Sequence, residues 1–133
     1  RLLLVEDNEV NQIVTRGMLD KLGYQVKTVG DGRTALTLLE RESFDLILMD
    51  CMMPEVDGFE TTRIIRTREE GTDRHVTIVA MTANTTEGAE ARCLAAGMDD
   101  YMAKPVHLED LETILSHWLR NDEVDPSEEE NTP

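Results

Sequence analysis

Short apolar runs of strand length alternate with segments of helical period along this chain, and that alternation limits the fold more than any other feature. The runs that read as strands are Leu2 to Glu6, Gln25 to Val29, Asp45 to Met49, Val76 to Met81 and Asp99 to Met102. In Leu46-Ile47-Leu48-Met49 the apolar residues are consecutive, not alternating, which suits a strand covered on both faces, as in a parallel sheet. Strand and helix in turn predict an α/β fold, a parallel sheet wrapped by helices. Between the strands, Val10, Ile13, Val14 and Leu22 fall on one helical stripe, and Leu108, Leu111, Ile114, Leu115, Trp118 and Leu119 form a second. Asp57-Gly58-Phe59-Glu60 has the spacing of a helix N-terminal cap, so a helix is expected to start there. Gly23 and Gly97 each follow a helical segment and precede a strand, where a left-handed residue closes a helix.

At 133 residues and 40% hydrophobic, the chain has material for one ordinary core. The expected division is one domain over residues 1–120 and an acidic, disordered tail or linker over 121–133, where almost nothing apolar is left to bury. A net charge of −15 with no basic stripe argues against direct nucleic-acid binding. No apolar run approaches the ~20 residues of a membrane span, so no membrane contact is expected of this domain. Cys51 and Cys93 form neither a disulfide framework nor a Cys-x-x-Cys pair, which favours free thiols in a reducing compartment. The chain enters a strand directly after Arg1, without Met or leader, and so reads as a module of a longer protein.

In an open α/β sheet, ligands gather at the carboxyl ends of the strands. There the first strand ends in Glu6-Asp7, the third in Asp50 and the fourth in Thr82, and the fifth runs into Lys104-Pro105. Singly, each has an ordinary explanation: an acid caps the next helix, a threonine suits a strand, a lysine is solvated. Together they would bring three carboxylates, a hydroxyl and an ammonium to one rim. Clustered carboxylates repel unless a cation joins them, and an all-oxygen set with room for water suits Mg²⁺. Asp7 and Asp50 would be direct ligands and Glu6 would act through water. Asp50 would then be a nucleophile toward a phosphoryl group, with Lys104 and Thr82 facing the phosphoryl oxygens.

The segments Val5-Glu6-Asp7-Asn8, Leu48-Met49-Asp50-Cys51-Met52-Met53-Pro54, Asp57-Gly58, Ala80-Met81-Thr82-Ala83 and Lys104-Pro105 together resemble the receiver (response regulator) family of two-component signalling. The resemblance implies a flavodoxin-like, doubly wound, five-stranded parallel sheet of order 2-1-3-4-5 flanked by five helices. It implies Asp50 as phosphoacceptor; Glu6, Asp7, Asp50 and the backbone carbonyl of Met52 around Mg²⁺; Thr82 as switch hydroxyl; Lys104 as phosphate-binding lysine in a cis peptide with Pro105; and Tyr101 as switch aromatic. Met52 cannot hydrogen-bond an attacking water where some relatives carry Asn or an acid, and Asn84 stands two residues past Thr82. Both positions would tune dephosphorylation.

Glu6-Asp7-Asn8-Glu9-Val10-Asn11-Gln12 is similar to receivers of hybrid sensor histidine kinases, which implies a histidine kinase domain or a histidine phosphotransfer domain as partner. As an enzyme the chain would act only on itself, catalysing its own phosphorylation and dephosphorylation, as a monomer or weak dimer. It would work on the cytoplasmic side, with any membrane anchor elsewhere in the parent protein. A haloacid-dehalogenase-type phosphatase would need an acid where Met52 stands. A flavodoxin would need a hydroxyl- and glycine-rich loop where Asp7-Asn8-Glu9 stands. A docking module without phosphorylation is the remaining alternative. His75, His107 and His117 are scattered and read as structural, and Cys51 reads as packing.

Overall fold

The computed structural model describes residues 1–51, 57–82 and 88–123. Among the described residues the strands β1 (Leu2–Val5), β2 (Val26–Val29), β3 (Leu46–Asp50), β4 (Thr77–Thr82) and β5 (Asp100–Ala103) alternate with helices α1 (Glu9–Lys21), α2 (Gly32–Leu39), α3 (Gly58–Glu69), α4 (Ala89–Ala96) and α5 (Leu108–Glu123). All neighbouring strands pair in parallel, in the order β2-β1-β3-β4-β5. Strand ends differ from expectation by a residue or so: β1 stops at Val5, whereas β3 reaches Asp50 and β4 reaches Thr82.

Both faces of the sheet are covered, which is why its central strands tolerate consecutive apolar residues. Leu3, Val5, Ile47 and Met49 point to the side of α2, α3 and α4, where they meet Ala35, Leu36, Ile65 and Cys93. Their neighbours Leu2, Leu4, Leu46 and Leu48 point the other way, against Leu19 of α1 and Leu111, Leu115 and Leu119 of α5. Leu4 and Leu48 have no solvent exposure, and truncating such a residue to Ala costs about 2–5 kcal/mol.

The expected stripe on α1 needs correction. Val10, Ile13 and Val14 are 66%, 67% and 48% exposed, while the inward residues are Thr15 and Leu19, flanked by the half-buried Met18 and Leu22. At 100° per residue Leu22 sits roughly 120° around the helix from Val10, so α1 carries two apolar faces and only one meets the sheet.

Side chains fix where the helices start. Asn8 caps α1 by accepting from the Asn11 N–H at 3.0 Å, Asp31 caps α2 through Thr34 at 2.7 Å, and Asp57 caps α3 through Glu60 at 2.9 Å. Gly97 closes α4 at φ 107°, a conformation that strains other residues. Helix α5 continues to Glu123, three residues past the expected boundary of the tail. Trp118 of α5 donates to Asp100 of β5 at 2.8 Å, pinning the last helix to the edge strand. Among the described residues no helix is long and apolar enough to cross a membrane.

At the edge where β4 enters the sheet, Arg66 donates to Gly97 O at 2.8 Å, Val76 O at 2.9 Å, Glu69 at 2.7 Å and Asp99 at 2.9 Å. Asp99 also accepts from the Ile78 N–H at 2.8 Å and pairs with His75 at 2.9 Å, so one half-buried guanidinium ties α3, β4 and the α4–β5 turn together. Such a network satisfies its charges as a unit, and removing one member leaves the others desolvated without compensation.

Candidate functional site

Parallel register brings the strand ends to one rim. Val5 lies beside Met49, Asp50 beside Met81, and Thr82 beside Ala103. The residue after each strand therefore faces the same space: Glu6 after β1, and Lys104 after β5. Asp50 and Thr82 are themselves the last residues of β3 and β4. One carboxylate oxygen from each of Glu6, Asp7 and Asp50 lies within 4.8 Å of the others. Glu6 and Asp50 are each only 1% exposed, whereas Asp7 is exposed at the mouth.

Two buried carboxylates this close need positive charge, and Lys104 supplies it. Its Nζ lies 3.2 Å from Glu6 Oε1 and 3.2 Å from Asp50 Oδ1. Burial works to lower the affinity of this ammonium for its proton, but attraction to Asp50 and then Glu6, with hydrogen bonds to both, outweighs it, so its pKa is raised above 10.5. The Lys104 N–H donates to the Thr82 carbonyl at 2.9 Å, and the Lys104-Pro105 peptide is cis. Thr82 is 5% exposed.

The donor set is all oxygen, with one charged group open to the outside. That fits a hard divalent cation that keeps part of its water shell, as Mg²⁺ does, better than a soft metal wanting thiolate or imidazole. No histidine or cysteine joins this cluster among the described residues. His75 is engaged with Asp99, and His117 stacks edge-on against Trp118 at 5.0 Å between centroids. The Cys51 thiol is pushed up to about 12, first by burial and then by Cys93 and the nearby Asp50 carboxylate, so it stays protonated beside the site. A groove of about 520 Å³ around Phe44, Ile65 and Val76 lies where the chain enters β3 and β4, not where these strands end, and gathers none of these carboxylates.

Of the residues singled out in the sequence, Glu6, Asp7, Asp50 and Lys104 come together directly, and Thr82 joins them through the register of β4. Tyr101 is half-buried on the edge strand β5 and packs against the cluster beneath α2, α3 and α4. Met52 and Asn84 lie outside the described residues. Two residues that the strand-end logic passed over also reach the site. Asn11 Nδ2 lies 3.4 Å from Glu6 Oε2, and Gln12 Nε2 donates to the Glu6 main-chain carbonyl at 2.6 Å. An amide-bearing pair in the first turn after the acids is the signal that could have flagged them.

Comparison with known proteins agrees with this geometry. Residues 2–116 match the response regulator receiver domain. The hybrid signal transduction protein dokA of Dictyostelium discoideum is 41% identical over 92% of this chain, which spans 7% of that protein. Histidine kinase 5 of Arabidopsis thaliana is 36% identical over 90% of this chain, which spans 16% of it. The receiver domain of a sensor histidine kinase from Pseudomonas aeruginosa, solved with magnesium coordinated in its active-site cleft, is 48% identical at a TM-score of 0.79, covering 89% of this chain and 95% of that one. A receiver from Saccharomyces cerevisiae, solved in complex with a histidine phosphotransfer protein, is 32% identical at a TM-score of 0.81, covering 88% of this chain and 86% of that one. With its sheet order, its acidic cluster and its match along nearly the whole described length, the chain belongs to the response regulator receiver domain family.

Proposed function

We propose that Asp50 accepts a phosphoryl group from a phosphohistidine of a histidine kinase or histidine phosphotransfer domain, in a Mg²⁺-dependent reaction. The observation that carries this reading is the meeting of Glu6, Asp7 and Asp50 within 4.8 Å of one another, with Lys104 3.2 Å from two of them. An Asp50 carboxylate oxygen attacks phosphorus, the phosphorus–nitrogen bond to the donor imidazole breaks, and the imidazole leaves with a proton from solvent. Catalysis of such a transfer consists mostly of placement and neutralisation of charge. Lys104 holds Asp50 in place and presents an ammonium to the phosphoryl oxygens, and the Thr82 hydroxyl donates to another. Glu6, Asp7 and Asp50, with the Met52 carbonyl, would hold Mg²⁺, which supplies the remaining positive charge.

The exposed side chains of Val10, Ile13 and Val14 form an apolar face on the helix that begins two residues after Asp7. Three adjacent aliphatic groups left in water mark a contact surface. We assign this face to the phosphohistidine partner, whose docking would set the donor imidazole at the rim. The co-crystallised yeast receiver supports this class of partner. The acidic stretch past α5 would serve as a linker to a neighbouring domain, and the protonated, buried thiols suit a reducing, cytoplasmic setting.

Phosphorylation would bias an existing equilibrium in which Thr82 moves toward phosphate and Tyr101 turns inward, altering the surface of α4, β5 and α5. Incubation with a small acyl phosphate, with and without Mg²⁺, tests the reading. The native chain is expected to gain one base-labile phosphoryl group only with Mg²⁺, and Asp50→Asn to gain none. Labelling of Asp50→Asn equal to the native chain would refute the assignment.

A further inference from the structure

Helix α1 does more than present an apolar face: its first turn grips the acidic pocket. The Glu6 carboxylate is buried, and its two oxygens face different groups. Oε1 meets Lys104, while Oε2 meets the Asn8 N–H at 3.2 Å and Asn11 Nδ2 at 3.4 Å. The Gln12 bond at 2.6 Å falls on the carbonyl of the peptide that joins Glu6 to Asp7. A peptide is planar, so fixing its carbonyl direction also fixes the N–H side and narrows the backbone freedom of both flanking residues. One acid is held by its side chain and the exposed one by its backbone.

Asp7 has most need of this support. It is exposed, and the Glu6-Asp7 peptide that Gln12 holds joins it to Glu6, the residue that follows β1. Asn11 and Gln12 sit between Val10 and Ile13-Val14 in α1, so the proposed docking face and the grip on the acids share the start of one helix.

We propose that Asn11 and Gln12 are positioning residues that pre-set Glu6 and Asp7 for the divalent ion, linking helix α1 to the metal pocket. This rests on the metal-dependent reading of the pocket given above. Residues that orient metal ligands without touching the metal commonly change its affinity by about 10–100-fold when removed.

The test uses the full chain with Gln12→Met, which keeps side-chain length and loses the N–H donor, and with Asn11→Ala. Calorimetric titration with MgCl₂ gives Kd, and thermal unfolding in Mg²⁺-free buffer gives Tm. Each variant is expected to raise Kd for Mg²⁺ by about 10-fold. In acyl-phosphate labelling, the Mg²⁺ concentration for half-maximal rate should rise in step, with the rate at saturating Mg²⁺ little changed. The Asn11→Ala effect should vanish in a Glu6→Gln background, because Asn11 acts through that carboxylate. An unchanged Kd in both variants overturns the proposal, and so does a fall in Tm with the native Kd retained, which would mark a purely structural role. The calorimetric comparison decides the matter even where labelling of the native chain fails, since it reads metal binding alone.

Discussion

Exchanging glycine for alanine at two places in this chain should shift stability in opposite directions. A Cβ at Gly58 would fall inside van der Waals contact with the Asp50 carbonyl oxygen and lie 3.0 Å from both Cys51 Cα and Met49 Cγ. The first two are backbone atoms, which cannot rotate aside. Overpacking of this kind costs about 1–3 kcal/mol, against a gain of about 0.4–1 kcal/mol from a less flexible unfolded chain. A net loss of about 1–2 kcal/mol corresponds to a fall in Tm of roughly 4–10 °C for a domain of this size. At Gly17, exposed in the middle of α1, nothing lies within 4 Å of the added carbon. There alanine should stabilise by about 0.5–1 kcal/mol through helix propensity alone. Circular dichroism melts in Mg²⁺-free buffer compare the two variants with the native chain. Because the obstructed group is the carbonyl of Asp50 itself, Gly58→Ala should also slow acyl-phosphate labelling, which Gly17→Ala should leave alone. A Gly58→Ala chain that melts at or above the native temperature would refute the reasoning.

Lys104 binds its proton more tightly in the folded chain than in the unfolded one, so its contribution to stability is complete below pH 10.5 and is lost as pH rises through the higher folded value. Urea midpoints of the native chain should therefore fall more steeply at alkaline pH than those of Lys104→Met, and parallel curves would defeat the assignment. Replacing Ile13 and Val14 together by Ser should slow transfer from a phosphohistidine partner by about 10-fold or more, as loss of a contact hot spot does, while labelling by a small acyl phosphate proceeds at the native rate. Equal slowing by both donors would place the fault in the pocket and not in docking. The phosphorylated chain should be persistent, because Met52 offers no hydrogen bond to an attacking water. Met52→Asn should shorten its lifetime, and an unchanged or longer decay of the radiolabel would count against that view.

Much of this molecule was legible before any coordinates. Consecutive apolar residues in Leu46-Ile47-Leu48-Met49 imply a strand covered twice, and an abrupt change to Glu6-Asp7, Asp50 and Thr82 marks where strands stop; both are properties of neighbours along the chain. Caps such as Asp57 act over three residues and are read in the same way. The strand order rested on family resemblance, since periodicity carries no information about which strands lie side by side. Helix α1 shows the limit most clearly. Its sequence offers two apolar faces, and a periodic pattern cannot say which one meets the sheet, so the stripe of Val10, Ile13 and Val14 carries no sign that these residues face water. Arg66 bonds to Gly97 and Asp99, 31 and 33 positions away, and the reach of Gln12 back to the Glu6 carbonyl depends on how the loop after β1 folds under the helix. Local pattern determines what a segment becomes, because helix and strand contacts span a few residues. Partners across the fold follow from strand register and helix rotation, which are settled only when the whole core packs at once.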